Sequence, residues 1–197
     1  MISPLEIAAN AVMTASILLA GRNNVHSWWL GVLGCSMFAT LFYSVNLYAD
    51  VALQVFFIVT CALGWLQWLR GNAGRGLPIS SVRLATLGWM LAVGLAATMA
   101  YGMMLQAYTK AYAPFVDSAV LVFSIVAQLL LMGRRLENWP FWLLVNTICV
   151  PLYASRGLYL TALLYAAYWV NALVSWFFWR RQMRQDGAAI APHSAAQ

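Results

Sequence analysis

The sequence predicts an all-α integral membrane protein in which seven spanning helices form a parallel repeat, three plus one plus three. Three observations carry this. First, 63% of the 197 residues are hydrophobic and only 8% are charged, with a mean hydropathy of +0.76. A soluble domain holds about a quarter charged residues, so this chain lacks the polar groups to cover a water-facing surface. Second, its apolar residues fall into seven runs close to the roughly 20 residues that a spanning helix needs. Third, one run recurs. Residues 47–68 read LYADVALQVFFIVTCALGWLQW, and 158–179 read LYLTALLYAAYWVNALVSWFFW. Both open on Leu-Tyr and close on Trp-x-x-Trp, and Trp176 and Trp179 stand 111 residues after Trp65 and Trp68.

The first predicted helix runs from Pro4 to Ala20 and stops at Gly21-Arg22-Asn23-Asn24. It is read as a retained helix, because Glu6 is its only charged side chain and a cleavable signal peptide needs a basic start. The second spans Ser27 to Val45, and the third is the recurring run, to Leu69. Residues 4–69 thus form the first three-helix repeat. A connector over 70–114 contains a linking fourth helix, Leu84 to Leu105, rich in Gly, Ala and Met. The second repeat covers 115–180. Its first helix is Phe115 to Met132. Its second is Asn138 to Ala154, with Pro140 tolerated in the first turn and Pro151 expected to bend or stop the helix. Its third is Leu158 to Trp179. The small, polar residues 181–197 are expected to be a disordered cytoplasmic tail.

Charge placement supports this segmentation. With seven spans, one side of the membrane receives Lys110 and Arg156, and the other receives the remaining nine of the eleven Lys and Arg residues. The positive-inside rule then puts the N-terminus outside and the C-terminus in the cytoplasm. The net charge of +6 therefore marks topology and not a nucleic-acid surface. The repeat extends past the recurring run, since a shift of 111 lays the second helix on the sixth without a gap and Glu6 on Asp117. Four helices separate the starts of the two repeats, so both start on the same face. In parallel-repeat carriers the substrate sits near the midplane, between the repeats.

Catalytic motifs are missing. No Walker sequence, metal-ligand spacing or Ser-His-Asp set occurs, and no metal or cofactor is expected. Cys35, Cys61 and Cys149 lie in apolar runs and read as small core residues. The candidate substrate site is aromatic and amide. Gln54, Gln128, Asn146 and Asn171 lie within spans, where an amide must face another helix or a wet cavity. Gln54, Cys61, Trp65 and Trp68 share a face of the third helix at helical spacing. Tyr165, Tyr168 and Asn171 share one on the seventh, and Trp142 lies one turn before Asn146. Flat walls with amide groups suit a neutral or weakly charged ring compound: stacking for the ring, hydrogen bonds for its polar groups. Competing readings exist for each residue. Trp68 and Trp179, followed by arginine, suit an interfacial belt, as do Trp28, Trp29, Trp139 and Trp142. A buried amide also suits a helix–helix hydrogen bond. Asp50 and Asp117 are expected near the outer face, solvated or paired. A membrane-embedded enzyme or assembly subunit without a transport path is the alternative class.

The motifs Leu47-Tyr48-Ala49-Asp50, Leu53-Gln54-Val55 and Gly64-Trp65-x-x-Trp68 resemble the PnuC family of bacterial vitamin transporters. So do Asp117-Ser118, Ser124-x-x-Ala127-Gln128, Glu137-Asn138-Trp139-x-x-Trp142, Asn146 and Pro151-Leu152-Tyr153. The resemblance covers Glu6 to Trp179. It implies a seven-helix carrier of SWEET-like 3+1+3 arrangement in the bacterial inner membrane, either monomeric or a homotrimer. It also implies facilitated diffusion of an unphosphorylated vitamin precursor that a cytoplasmic kinase then traps. Nicotinamide riboside leads, with thiamine or riboflavin as alternatives. The nicotinamide riboside type tends to carry Asn where Cys35 and Cys61 stand here, and Tyr where Leu63 stands. The substrate site expected on both grounds comprises Gln54, Cys61, Trp65, Trp142, Asn146, Tyr165, Tyr168 and Asn171.

Overall fold

The apolar runs become helices and the polar breaks become turns. The computed structural model describes residues 4–44, 48–70, 77–109, 112–157 and 159–194, with only the backbone at 48–50, 52 and 187–194. Seven helices follow in order: α1 (Pro4–Gly21), α2 (His26–Ser44), α3 (Tyr48–Arg70), α4 (Leu84–Tyr108), α5 (Pro114–Met132), α6 (Asn138–Ser155) and α7 (Tyr159–Ser194). Five of them are long and apolar enough to cross a membrane: α1, α3 over Leu53–Arg70, α4, α5, and α7 over Tyr159–Asp186. The two below that measure, α2 and α6, carry the Ser, Gly, Trp, Asn and Pro residues that lower hydropathy. A helix flanked by other helices need not be lipophilic on every face. Leu47, Lys110 and Leu158, which the sequence reading uses, lie outside the described residues, as does the side chain of Asp50.

One expectation is narrowed and another changes. Of the two effects expected at Pro151, bending or stopping, it does not stop α6, which runs past the expected Ala154 to Ser155. Proline removes one N–H and crowds the preceding turn, but a single lost bond leaves the rest of the ladder intact. The expected disordered tail also differs, because α7 continues to Ser194. Arg180 to Gln185 are good helix formers, and Gln182 accepts a hydrogen bond from Asn23 Nδ2 at 3.0 Å.

The chain divides into two compact units. The first holds α1–α3, Met132–Arg134 and the residues from Arg181 onward. Here α2 packs on both α1 and α3. Gly31 allows the close approach, since a Cβ there would meet Cys61 Sγ at 2.9 Å and Ser16 Oγ at 3.4 Å. Ser16 Oγ in turn donates to the Ser27 carbonyl at 2.7 Å.

The second unit holds Ile79–Leu131 and Arg135–Arg180. It therefore counts α4 together with α5–α7. Its core is built from Phe123, Ala127 and Leu130 of α5 with Phe141, Val145 and Cys149 of α6. Met90 of α4 and Tyr165 of α7 pack against it. The segment before α4 is held to the start of α6: Leu136 N donates to Ser80 O at 2.9 Å, and Glu137 accepts from Ser81 Oγ and from Val82 N. Across the turn from α5 to α6, the chain repeats the geometry of the turn from α1 to α2. Asn24 N donates to Leu19 O at 3.0 Å, and Arg135 N to Leu130 O at 2.9 Å. Among the described residues, Asn23 (φ 56°) and Arg134 (φ 52°) are the two non-glycine residues with left-handed backbone. Each of these pairs is separated by 111 positions.

Candidate vitamin-binding site

The repeated tryptophans are buried pairs. Trp28 meets Trp68 edge-on, with ring centroids 5.2 Å apart at 81°, and Trp139 meets Trp179 at 5.4 Å and 85°. Their exposures are 2%, 3%, 3% and 0%, respectively. These four residues are therefore packing elements, and the belt reading does not hold for them. A belt tryptophan keeps its ring at the lipid headgroups and its N–H wet; Trp28 Nε1 and Trp139 Nε1 are instead buried with no hydrogen-bond partner among the described residues.

Within the second unit, α6 carries Trp142 and Asn146 one turn apart, and 142, 146, 149 and 153 follow one stripe of the helix. Trp142 and Tyr153 pack against the α5–α6 core, as does Tyr165 from α7. Tyr153 and Tyr165 are tilted rings with centroids 5.0 Å apart, and Tyr168 adds an edge contact to Tyr165 at 5.8 Å. Asn146 is only 5% exposed, yet its amide is not among the fully buried polar atoms that lack a hydrogen-bond partner, which are Trp28 Nε1, Thr98 Oγ1, Asn138 Oδ1 and Trp139 Nε1 among the described residues. Asn171 is half-buried, and its backbone carbonyl accepts from Ser175 Oγ at 2.6 Å. Gln128 is buried in α5. The arrangement brings Tyr165 and Tyr168 together as the spacing predicts and adds Tyr153, which the spacing from Trp142 and Asn146 could have identified.

Within the first unit, the residues expected on α3 separate. Cys61 is buried and lies within hydrogen-bonding reach of Cys35 on α2. Gln54 is half-buried. Trp65 is 40% exposed, so it does not share the inner face with Cys61 and Trp68. That face runs through Thr60, Cys61, Gly64 and Trp68, all buried. Asp117 is paired, as one of its expected states: Arg156 Nη2 donates to both carboxylate oxygens at 3.0 and 3.2 Å. Among the described residues, no group of three His, Cys, Asp or Glu side chains comes together as a metal would require.

Among the described residues, seven helices, five of them long and apolar enough to span a bilayer, define a multi-pass membrane protein, and the aromatic stripe with Asn146 suits the small-molecule carrier class. A family model described as nicotinamide mononucleotide transporter matches residues 3–181, and the chain belongs to that family. The family is one of transporters, not enzymes. The chain is 26% identical to the nicotinamide riboside transporter PnuC of Escherichia coli (strain K12), over 89% of this chain and 84% of that protein. It is 27% identical to the riboflavin/roseoflavin transporter RibM of Streptomyces davaonensis, over 94% and 88%. Its fold is similar to that in a crystal structure of the vitamin B3 transporter PnuC, with a TM-score of 0.69 and 20% identity over 92% of this chain and 82% of that one.

Proposed function

We propose that the protein carries nicotinamide riboside by facilitated diffusion across the bacterial inner membrane, with the N-terminus outside and a cytoplasmic kinase trapping the product. The Asn146 amide one turn from Trp142, in a unit that also brings Tyr153, Tyr165 and Tyr168 into ring contact, is the observation that carries this reading. It offers one donor and one acceptor to a ring amide or ribose hydroxyl, with flat rings nearby for stacking. Gln54, Cys61, Trp65 and Asn171 are proposed as further contacts. The riboside is preferred to the mononucleotide of the family description on the similarity to the nicotinamide riboside transporter PnuC. The 3+1+3 arrangement is supported by the two turns and two tryptophan pairs that recur at a shift of 111.

A second reading, riboflavin, has its own support: the similarity to RibM and the Cys35–Cys61 thiols where the nicotinamide riboside type tends to carry Asn. One experiment separates the readings. Proteoliposomes holding the purified protein should equilibrate labelled nicotinamide riboside with no ATP and no ion gradient. Uptake that demands a gradient defeats the uniport mechanism. Equilibration of riboflavin, with nicotinamide riboside excluded, selects the second reading.

A further inference from the structure

Arg134 is the most elaborately held charge in the described structure, and the vitamin site does not use it. It stands in the turn between α5 and α6, with left-handed backbone at φ 52°. Its guanidinium lies over the Trp68 ring, 4.4 Å from the centroid. Nε donates to Asn23 Oδ1 at 2.7 Å, and Nη1 donates to the Leu77 carbonyl. Asn23 extends the chain of bonds by donating from Nδ2 to Gln182 Oε1 at 3.0 Å. Burial pushes the Arg134 guanidinium below its usual range, and the Asp186 carboxylate opposes this. Every partner named here belongs to the first unit, as does the short stretch Met132–Arg134 itself. The chain immediately before and after that stretch, Leu131 and Arg135, belongs to the second.

The turn is thus three residues of one unit inserted in the sequence of the other. Arg134 supplies its side-chain attachment: a planar fork that bonds an amide and a carbonyl while its face covers an indole. Lysine, a point charge, cannot reproduce that combination. The indole is itself fixed, because Trp68 is buried edge-on against Trp28. Asn23 is the counterpart of Arg134 at the shift of 111, and the two bond each other. The first turn therefore contributes the acceptor and the second the donor.

We infer that Arg134 is a positioning residue for transport, holding the stretch Met132–Arg134 on the α1–α2 turn and the end of α3, all within the first unit. It acts through Asn23, Leu77 and Trp68 and does not touch the vitamin. The inference rests on the carrier reading and not on which vitamin is carried. A bond set that lies wholly within one unit is not broken and remade in each turnover, so its loss should slow transport.

The test uses the full chain and two readouts. Backbone hydrogen exchange, which needs no substrate, is followed at 130–136 and 19–28. R134A should accelerate exchange in both turns, while W89A, at an exposed site on α4, should leave both as in wild type. In proteoliposomes, with nicotinamide riboside, thiamine and riboflavin offered side by side, R134A should lower the maximal rate of whichever is carried by about tenfold, the scale for removing a charged hydrogen bond from a part-buried site. Its Kd should stay within about twofold, because the residue is outside the binding stripe. R134K should recover part of the rate, and N23A should lose less than R134A. A faster R134A carrier would make the contact a latch and overturn the inference. So would an unchanged rate, an equal loss in Kd, or unaltered exchange in both turns. If wild type carries none of the three vitamins, the substrate proposal fails, and the exchange readout alone decides for or against Arg134.

Discussion

Replacing Asn146 with Ala should weaken vitamin binding while leaving the empty protein as stable as before, or more so. The two effects differ because the Asn146 side chain, 5% exposed on α6, has no hydrogen bond to another helix among the described residues that alanine would remove. Alanine is also the better helix former. The small cavity it leaves works the other way, with a lesser effect because few atoms are lost. A bound vitamin bonds the amide, so the substitution removes a contact that is made only on binding. The expected result is a Kd raised about tenfold, equivalent to about 1.4 kcal/mol. The melting temperature of the empty protein should be unchanged or higher, and the vitamin-induced rise should shrink. Calorimetry and thermal unfolding in detergent measure both. A drop in the melting temperature of the empty protein with an unchanged Kd would make Asn146 a structural residue and remove it from the site.

How much of this was legible in the sequence depends on what kind of signal each feature leaves. The helices were legible because a bilayer fixes their length and forbids charge within them. The turns were legible from Gly21-Arg22-Asn23-Asn24 and Gly133-Arg134-Arg135. The shift of 111 was legible from tryptophans, and it led to the residues that form matching pairs and matching turns. Which face of each helix points inward was much less legible. In water a helix marks its outer face with charges, but in lipid both faces are apolar. On α3, Trp65 and Trp68 are one turn apart and chemically the same, yet one is exposed and the other buried. Only the neighbours decide: Trp68 has Trp28 beside it and Arg134 above it. For the same reason, arginine after Trp68 and Trp179 suggested a belt, although both rings are interior.

The candidate site was legible where polarity is rare. A buried Asn in an apolar run stands out, and so Asn146 and Asn171 were found. Tyr153 lies inside the helix expected from Asn138 to Ala154, and the stripe from Trp142 through Asn146 reaches it, but its contact with Tyr165 on α7 leaves no mark in the sequence. The pairing of Cys35 with Cys61 left no sequence signal, since the contact depends on how closely α2 approaches α3. That approach is set by glycines, which marks a second place where a small substitution should have a large effect.

Replacing Gly64 with Ala should destabilise the first unit, although alanine is the better helix former. A Cβ at Gly64 would lie 2.5, 2.6 and 2.8 Å from three carbons of the Trp28 ring. The ring cannot retreat, because it is buried and its edge contact with Trp68 fixes its plane. Overpacking of this kind costs about 1–3 kcal/mol. The helix propensity gained on going from Gly to Ala is about 1 kcal/mol, so repulsion wins or, at the least, cancels the gain. Two other positions serve as controls. Gly88 on α4 has nothing within 4 Å of an added Cβ, so G88A should raise the melting temperature through propensity alone. Ser175 occupies the position 111 residues after Gly64 and already carries a side chain, whose hydroxyl bonds the Asn171 carbonyl. S175A should therefore be nearly neutral, which would show that the two tryptophan pairs sit in differently sized settings despite their matching geometry. The expected order of melting temperatures is G88A above wild type, S175A close to it, and G64A below it. If G64A instead matches G88A, then α2 and α3 can separate at no cost, and the Trp28–Trp68 contact is not what holds them together.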